Sequence, residues 1–218
     1  EVLLRMDTEE LGPVSPRAFI PIAVSCGLIR ELDLMVVSRT CEFLQKHPEL
    51  FAMGLKSLSI NLSSPEHFTD QAATLTSTVR KYGIEPERLI FEMTETIALS
   101  NYTAAETMMR SMKNRGYSFF LDDFGTGYAN ILALRSLPFN CVKLDRFLVH
   151  ADDCTGRILF DEMARLLSRL GVDVLAEGVE TEEQNARAAA SGSSYVQGFY
   201  YSQPLNGDSF IEFMEKNK

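Results

Sequence analysis

The sequence predicts an α/β fold, either a TIM-like (β/α)8 barrel or a doubly wound open sheet. The chain has 218 residues, of which 45% are hydrophobic, enough for a buried core in one domain spanning residues 1–218. Short apolar runs alternate with segments of helical period, and most runs are nearly continuous in hydrophobicity. Strands that helices cover on both faces have this pattern, so the runs predict a parallel sheet.

The apolar runs are predicted as strands in chain order. They cover residues 2–5, 57–61, 88–93, 118–123, 141–145, 173–178 and 195–198. Helices are predicted in two pieces within 16–48, and then over 70–82, 103–115, 128–136, 156–170, 182–191 and 208–216. Thr181 precedes one helix as a start signal, and glycines follow several others. Because a (β/α)8 barrel needs eight strands, we expect its first strand to lie outside this chain.

Composition excludes several classes of protein. The net charge of −9 argues against a basic face for a nucleic-acid polymer. No run reaches about 18 consecutive apolar residues, so direct membrane insertion is not expected. The four cysteines are scattered without a CxxC pair, which predicts reduced thiols and a cytoplasmic location, with any membrane tether outside this chain. The three histidines lack the paired spacing of a zinc site.

Polar side chains stand at or near the carboxyl ends of successive predicted strands. These residues are Asn61, Glu92, Asp122, Asp123, Lys143, Glu177 and Gln197. In a parallel barrel such strand ends converge on the face where catalytic residues gather. Several carboxylates in a partly dehydrated cleft repel one another unless a cation neutralises them. Oxygen ligands without thiolates or imidazoles favour Mg²⁺ or Mn²⁺.

Asp122 and Asp123 are adjacent, although neighbouring side chains of an extended strand point to opposite faces. They can share a site only if the chain turns out of the strand there, which Gly125 and Gly127 permit. Two adjacent carboxylates can hold two ions, and two metals about 4 Å apart clamp the attacking and leaving oxygens of a displacement at phosphorus. The pair therefore predicts phosphoester hydrolysis.

A series of fragments carries a resemblance over essentially the whole chain. In order they are EVLLRM, FIPIA, GLI, INLS, FEMTE, LDDFGTGYA, VKLDR, AEGVETEEQ and VQGFYYSQPL. Together they resemble the EAL-domain family of bacterial cyclic di-GMP phosphodiesterases, which act in signalling that regulates biofilm formation and motility. The resemblance implies a modified, EAL-type TIM-like barrel over residues 1–218. It also implies hydrolysis of one phosphodiester bond of cyclic di-GMP to linear pGpG with two Mg²⁺ or Mn²⁺ ions, and inhibition by Ca²⁺.

The resemblance also implies a role for each matching residue. The metal ligands would be Glu1, Asn61, Glu92, Asp122 and Asp123. The catalytic residues that position or deprotonate the water and complete the metal shell would be Lys143, Glu177 and Gln197. The substrate-binding residues would be Arg5, Asp145 and Pro204. The residues that stabilise loops would be Glu95, which fixes the loop after Asp123, and Glu180.

Two other functions compete with this interpretation. One is a catalytically weak or inactive EAL-like receptor that binds cyclic di-GMP or a protein partner, and the complete acid set argues against it. The other is a barrel enzyme that acts on a small carbonyl or sugar phosphate with one divalent ion, which does not explain the tandem aspartates. The resemblance further implies a homodimer that forms near the loop after Asp123, and flanking sensory or cyclase domains in the full-length protein.

Overall fold

The computed structural model describes residues 1–63, 68–125, 134 and 136–217. The strands are β1 (Met6–Thr8), β2 (Gly12–Val14), β3 (Leu58–Asn61), β4 (Leu89–Thr94), β5 (Ser118–Phe124), β6 (Cys141–Leu144), β7 (Asp173–Ala176) and β8 (Tyr195–Val196). The helices are α1 (Pro16–Ser25), α2 (Ile29–Lys46), α3 (Glu49–Ala52), α4 (Phe68–Lys81), α5 (Glu95–Ser100), α6 (Tyr102–Lys113), α7 (Arg146–Val149), α8 (Cys154–Arg169), α9 (Glu182–Ser191) and α10 (Gly207–Lys216). None of the helices in these described ranges has the length and apolar character that crossing a bilayer requires.

From α1 onward, the longer strands and helices follow the predicted order, with boundaries that differ by one to a few residues. The helix predicted over 128–136 lies outside the described residues, apart from positions 134 and 136. The short helices α3, α5 and α7 were not predicted because each is a single turn or little more, too short for a periodic pattern.

The described residues form two compact units. The first comprises Glu1–Glu92, Ser100–Ser118 and Gly207–Lys218, and the second comprises Met93–Leu99 and Phe119–Asn206. Each is described here by itself. The single domain over residues 1–218 stays a prediction.

In the first unit, β3 and β4 pair in parallel from Leu58 opposite Leu89 to Asn61 opposite Glu92. Val2 adds one parallel bridge to Ile60. The strand predicted over 2–5 is therefore wrong in extent, because the pairing is confined to Val2. Leu3 is exposed, so the apolar character of this run does not come from burial in a sheet.

A short antiparallel hairpin follows this bridge and was not predicted. β1 and β2 pair from Met6 opposite Val14 to Thr8 opposite Gly12. Gly12 has a φ of +63°, a conformation that glycine adopts without the steric cost of a side chain. Both strands are short and largely exposed, so neither alternation nor an apolar run marks them in the sequence.

The core of the first unit lies between α2, α4 and α6, whose buried side chains share an apolar character. They are Val37, Cys41 and Leu44 of α2, Leu75 and Val79 of α4, and Met108, Met109 and Met112 of α6. Burial raises the pKa of the Cys41 thiol to about 12. The thiol therefore stays neutral near pH 7 and packs as a small apolar side chain.

In the second unit, β5, β6, β7 and β8 pair in parallel in chain order. All four residues of β6 are buried, and β7 is buried after Asp173. α8 buries Phe160, Ala164 and Leu167. The prediction of parallel strands with nearly continuous hydrophobicity is confirmed within this unit.

The start of α9 is fixed by a reciprocal cap that the sequence signal at Thr181 predicted. The Gln184 N–H donates to Oγ1 of Thr181 at 3.2 Å. In return, Oε1 of Gln184 accepts from the N–H groups of Thr181 at 3.1 Å and Glu180 at 2.8 Å. These bonds satisfy backbone donors at the start of the helix, so the cap also anchors the chain around Glu180.

Thr181→Ala is expected to lower the free energy of unfolding by about 1 kcal/mol, because the side-chain acceptor of the cap is removed. Thr181→Ser keeps the hydroxyl and should stay close to the wild type. Urea denaturation followed by circular dichroism measures both. Equal stability of the alanine and serine variants would contradict the role of the cap.

Candidate functional site

Three predicted metal ligands of the first unit lie at the start of the chain, at the end of β3 and in the second half of β4. Asn61 and Glu92 are opposite each other in the parallel pairing, so their side chains leave the sheet on the same face. Nδ2 of Asn61 donates to Oε1 of Glu1 at 2.9 Å. The N–H of Val2 donates to the carbonyl of Ser59 at 2.8 Å, which anchors the backbone beside Glu1. The structure thus brings Glu1 and Asn61 together.

Glu92 is a buried carboxylate two residues before the end of β4. Its backbone carbonyl accepts from the N–H of Leu62 at 2.8 Å, which continues the pairing of the two strands beyond Asn61. Burying a carboxylate is unfavourable unless hydrogen bonds or a cation compensate it. The position therefore suits an oxygen ligand of a metal ion.

Arg5 is exposed and lines a cavity of about 210 Å³ together with Asp33, Asn61 and Ser63. Asp33 is buried in α2, and its Oδ2 accepts from the N–H of Ser63 at 3.0 Å. The sequence analysis missed Asp33. The available signal was its place in the buried series Ile29, Asp33 and Val37, where an acidic residue interrupts an apolar helix face.

The second unit contains a compact ionic cluster around Lys143. Nζ of Lys143 lies 3.0 Å from Oδ1 of Asp122 and 2.8 Å from Oε1 of Glu177. The side chains are 1%, 13% and 17% exposed for Lys143, Asp122 and Glu177. Water therefore screens these ion pairs much less than pairs on the surface. Lys143, which a buried apolar strand carries, is the cation of this cluster.

Ligand oxygens of Asp122, Asp123 and Glu177 all lie within 4.8 Å of one another. Oδ1 of Asp122 is buried and has no hydrogen bond, because its 3.0 Å contact with Lys143 is an ion pair without hydrogen-bond angles. Three carboxylates thus lie close together in a small volume, and two of them contact the ammonium of Lys143. This set of hard oxygen donors fits a divalent cation such as Mg²⁺ or Mn²⁺.

A bulge in β5 explains how two adjacent aspartates share this cluster. Leu121 is opposite Val142 and Phe124 is opposite Leu144, so Asp122 and Asp123 together face the single residue Lys143. Asp123 has a φ of +56° and is the one non-glycine residue with positive φ in the part of the chain described. The strand continues to Phe124, so the expectation that the chain leaves the strand at the aspartates is wrong.

Glu177 and Gln197 follow the ends of β7 and β8 and are joined by backbone bonds. The N–H of Gln197 donates to the carbonyl of Ala176 at 2.9 Å, and the carbonyl of Gln197 accepts from the N–H of Val179 at 3.0 Å. A side chain at Gly198 would overlap the backbone of Val179, so only glycine allows this approach. The structure therefore places Glu177 and Gln197 on two tightly connected turns.

The remaining predicted residues are those expected to bind substrate or to stabilise loops, and one of them, Asp145, has a structural role. Asp145 is the N-cap of α7, and its Oδ1 accepts from the N–H of Phe147 at 2.7 Å. Pro204 and Glu180 are exposed, and Glu95 begins α5. The loop that Glu95 was predicted to fix lies mostly outside the described residues. The substrate-binding and loop-stabilising roles stay predictions.

The predicted ligands thus form two groups, with Glu1, Asn61 and Glu92 in the first unit and Asp122 and Asp123 in the second. Their sharing of one pair of ions stays a prediction. Parallel strands that end in clustered carboxylates and a buried lysine define an α/β protein with the donor set of a divalent-metal site. The model of the family described as the EAL domain matches residues 1–204, and the chain belongs to this family.

Several known proteins are similar to the chain over nearly its whole length. Cyclic di-GMP phosphodiesterase PdeL of Escherichia coli is 33% identical over 97% of the chain and 59% of its own length. Probable cyclic di-GMP phosphodiesterase PdeB of the same organism is 30% identical over 100% of the chain and 41% of its own length. The chain therefore spans well under two thirds of these curated relatives.

Solved structures share the fold. A structure described as the PaMucR phosphodiesterase in complex with c-di-GMP superposes with a TM-score of 0.85, at 28% identity, over 95% of the chain and 85% of that protein. A manganese and c-di-GMP complex of Klebsiella pneumoniae BlrP1 gives a TM-score of 0.76, at 26% identity, over 90% and 49%. This likeness confirms the predicted fold class, an EAL-type α/β fold, and is consistent with part of a (β/α)8 barrel.

Asp123→Ala is expected to be less stable than Asp123→Asn by about 1 kcal/mol, because asparagine tolerates the left-handed backbone conformation better than alanine does. Both substitutions remove the same charge, so their difference isolates the backbone conformation at the bulge. Urea denaturation of the two variants in EDTA measures it. If alanine is as stable as asparagine, the left-handed conformation of Asp123 does not limit stability.

Proposed function

We propose that this chain hydrolyses one phosphodiester bond of cyclic di-GMP to give linear pGpG, with divalent ions bound by its acidic residues. The observation that carries the proposal is the cluster of Asp122, Asp123 and Glu177 around Lys143 in a chain of the EAL-domain family. The names of the relatives PdeL and PdeB, and the c-di-GMP complex of the similar PaMucR structure, support the same substrate.

The proposed ligands of two Mg²⁺ or Mn²⁺ ions are Glu1, Asn61, Glu92, Asp122 and Asp123. When bound, such ions lower the pKa of a coordinated water and stabilise charge on the phosphoryl oxygens. The close carboxylate oxygens of Asp122, Asp123 and Glu177 support this choice of ion. Solved complexes of BlrP1 with calcium and with manganese support a divalent ion in the family.

Lys143 and its partners have separate proposed tasks. Two ion pairs hold the Lys143 ammonium in one place, so it can donate to the attacking water or to a phosphoryl oxygen without reorganising as charge develops. Glu177 and Asp122 together orient Lys143, and Gln197 supplies an amide that can hold the water. Exposed Arg5 offers a planar guanidinium that can bind a phosphate of the substrate in two places.

The proposed setting is a cytoplasmic protein in which this chain is one module. Cys26, Cys41 and Cys154 are free thiols, which supports a reducing compartment. The bifunctional diguanylate cyclase/cyclic di-GMP phosphodiesterase MucR of Pseudomonas aeruginosa matches the chain at 29% identity over only 31% of its own length. This partial match supports flanking sensory or cyclase domains.

We also propose that the chain forms a homodimer through α8. Leu159, Leu166 and Leu170 of this region are 48%, 40% and 54% exposed, and Met163 lies between them. Their spacing of four, three and four residues is the heptad pattern by which two helices pair. The surface between them also carries both signs of charge, in the Glu162–Arg165 ion pair. A second copy is therefore the partner that fits. The predicted contact near the loop after Asp123 lies mostly outside the described residues.

The chain is expected to convert cyclic di-GMP to pGpG with Mn²⁺ or Mg²⁺, and to lose turnover when Ca²⁺ replaces them. Chromatography of the nucleotides measures both.

Glu92→Gln should lower kcat by more than about 100-fold, because even changes to groups that only support a ligand cost about 10–100-fold.

Glu215→Gln, an exposed position on α10, is the matched control and should keep the wild-type rate. Retained binding of cyclic di-GMP with no turnover at saturating Mn²⁺ would identify a receptor instead of an enzyme. A normal rate for Glu92→Gln would show that Glu92 is not a ligand.

Leu166→Glu is expected to shift the chain from dimer to monomer, because it places a carboxylate in the middle of the apolar stripe of α8. Light scattering after size-exclusion chromatography measures the mass. Ser168→Glu, on the exposed surface of the same helix, adds the same charge outside the stripe and serves as control. A monomeric wild type, or a Leu166→Glu variant that remains dimeric, would contradict this interface.

A further inference from the structure

His150 ends α7 and contacts the turn that carries Glu177. Its Nε2 lies 2.6 Å from the carbonyl oxygen of Gly178, the residue after Glu177. A carbonyl only accepts hydrogen bonds, so Nε2 carries the hydrogen and donates it. The contact joins residues 28 positions apart in sequence and is part-buried, so water competes with it weakly.

Gly178 is held against α7 on a second side as well. It has a φ of +67°, and a side chain placed there would overlap Cβ of Arg146. The turn after Glu177 therefore packs directly on the first residue of α7, while its carbonyl is bonded to the residue that ends the helix. Both ends of α7 thus hold Gly178, which leaves the turn little freedom to shift.

Arg187 of α9 fixes the backbone on either side of His150. Its Nη1 donates to the carbonyl of Ala151 at 3.3 Å, and its Nη2 donates to the carbonyl of Val149. The guanidinium also lies 5.1 Å from the centre of the Phe160 ring, a stacking distance. The backbone on both sides of His150 is therefore held by Arg187, and this fixes the position from which His150 contacts Gly178.

The clamped turn connects the proposed catalytic groups. Glu177 donates its N–H to the carbonyl of Leu144 at 3.0 Å and forms its ion pair with Lys143. On the other side of Gly178, Val179 donates its N–H to the carbonyl of Gln197 at 3.0 Å. A shift of the Gly178 peptide would move Glu177 away from Lys143 and would loosen Gln197 at the same time.

We propose that His150 is a positioning residue, whose Nε2–H holds the Gly178 carbonyl and thereby sets Glu177 against Lys143 and Gln197. Its effect on turnover rests on the proposed function. Its effect on the geometry of the turn does not. His150 itself touches neither the cluster of carboxylates nor, by this proposal, the substrate.

The test compares three substitutions of His150. In His150→Gln the side-chain amide can still reach the carbonyl and donate to it, whereas the shorter amide of His150→Asn cannot reach it. His150→Ala removes the donor altogether. Alanine and asparagine should lower kcat by about 10–100-fold, the usual cost of losing a group that orients a ligand, with KM changed less than about threefold. Glutamine should recover the rate to within about threefold of the wild type. His47→Ala, at the end of α2, is the control and should leave kcat unchanged.

Two readouts do not depend on turnover. Hydrogen–deuterium exchange of peptides covering residues 177–180 should be faster in the asparagine and alanine variants than in the glutamine variant. Titration with Mn²⁺ followed by electron paramagnetic resonance should show about tenfold weaker binding in the same two variants. If His150→Ala fails to fold, the comparison of His150→Asn with His150→Gln still tests whether His150 holds the turn.

Unchanged exchange and unchanged Mn²⁺ affinity in His150→Asn would overturn the proposal, and so would a glutamine variant as impaired as asparagine. A wild-type chain that binds Mn²⁺ but leaves cyclic di-GMP intact would overturn the proposed function alone. In that case the exchange and Mn²⁺ measurements would still decide the role of His150.

Discussion

The acidic cluster of the second unit depends on the ion pairs that the buried ammonium of Lys143 forms with two carboxylates. Lys143 lies on β6, a strand with no exposed residue, and faces Asp122 and Glu177 from within the core. Its two ion pairs offset the repulsion between two carboxylates that are brought out of water beside each other. Oxygens of Asp122, Asp123 and Glu177 lie within 4.8 Å of one another, so the same cluster also offers the hard oxygen donors that suit a divalent ion.

The short helix α7 connects the end of β6, which carries Lys143, with the turn after β7, which carries Glu177. Asp145 begins it two residues after Lys143, and His150 ends it against Gly178. A residue expected to contact substrate, Asp145, therefore also fixes the direction in which the chain leaves β6. One turn of helix thus couples the lysine to the glutamate with which it pairs.

The sequence predicted polar residues near the carboxyl ends of the strands because parallel buried strands leave apolar runs in which such residues stand out. Asn61 ends β3, Glu92 lies two residues before the end of β4, and Lys143 lies one residue before the end of β6. The sequence did not predict the bulge, because a bulge is a relation between β5 and β6 that neither strand's own pattern contains. His150 was missed for the same reason, since its partner is a backbone carbonyl 28 residues away and carbonyls have no sequence signature.

The bulge at Asp122 and Asp123 also bears on how this site could be lost. Because the extra residue restores the inward direction of Phe124, deleting one aspartate codon would let β5 pair evenly with β6 and keep every apolar side chain of the strand facing the core. The sheet would survive while one carboxylate disappeared. A single in-frame deletion would therefore remove a proposed metal ligand while the pairing of β5 with β6 remained.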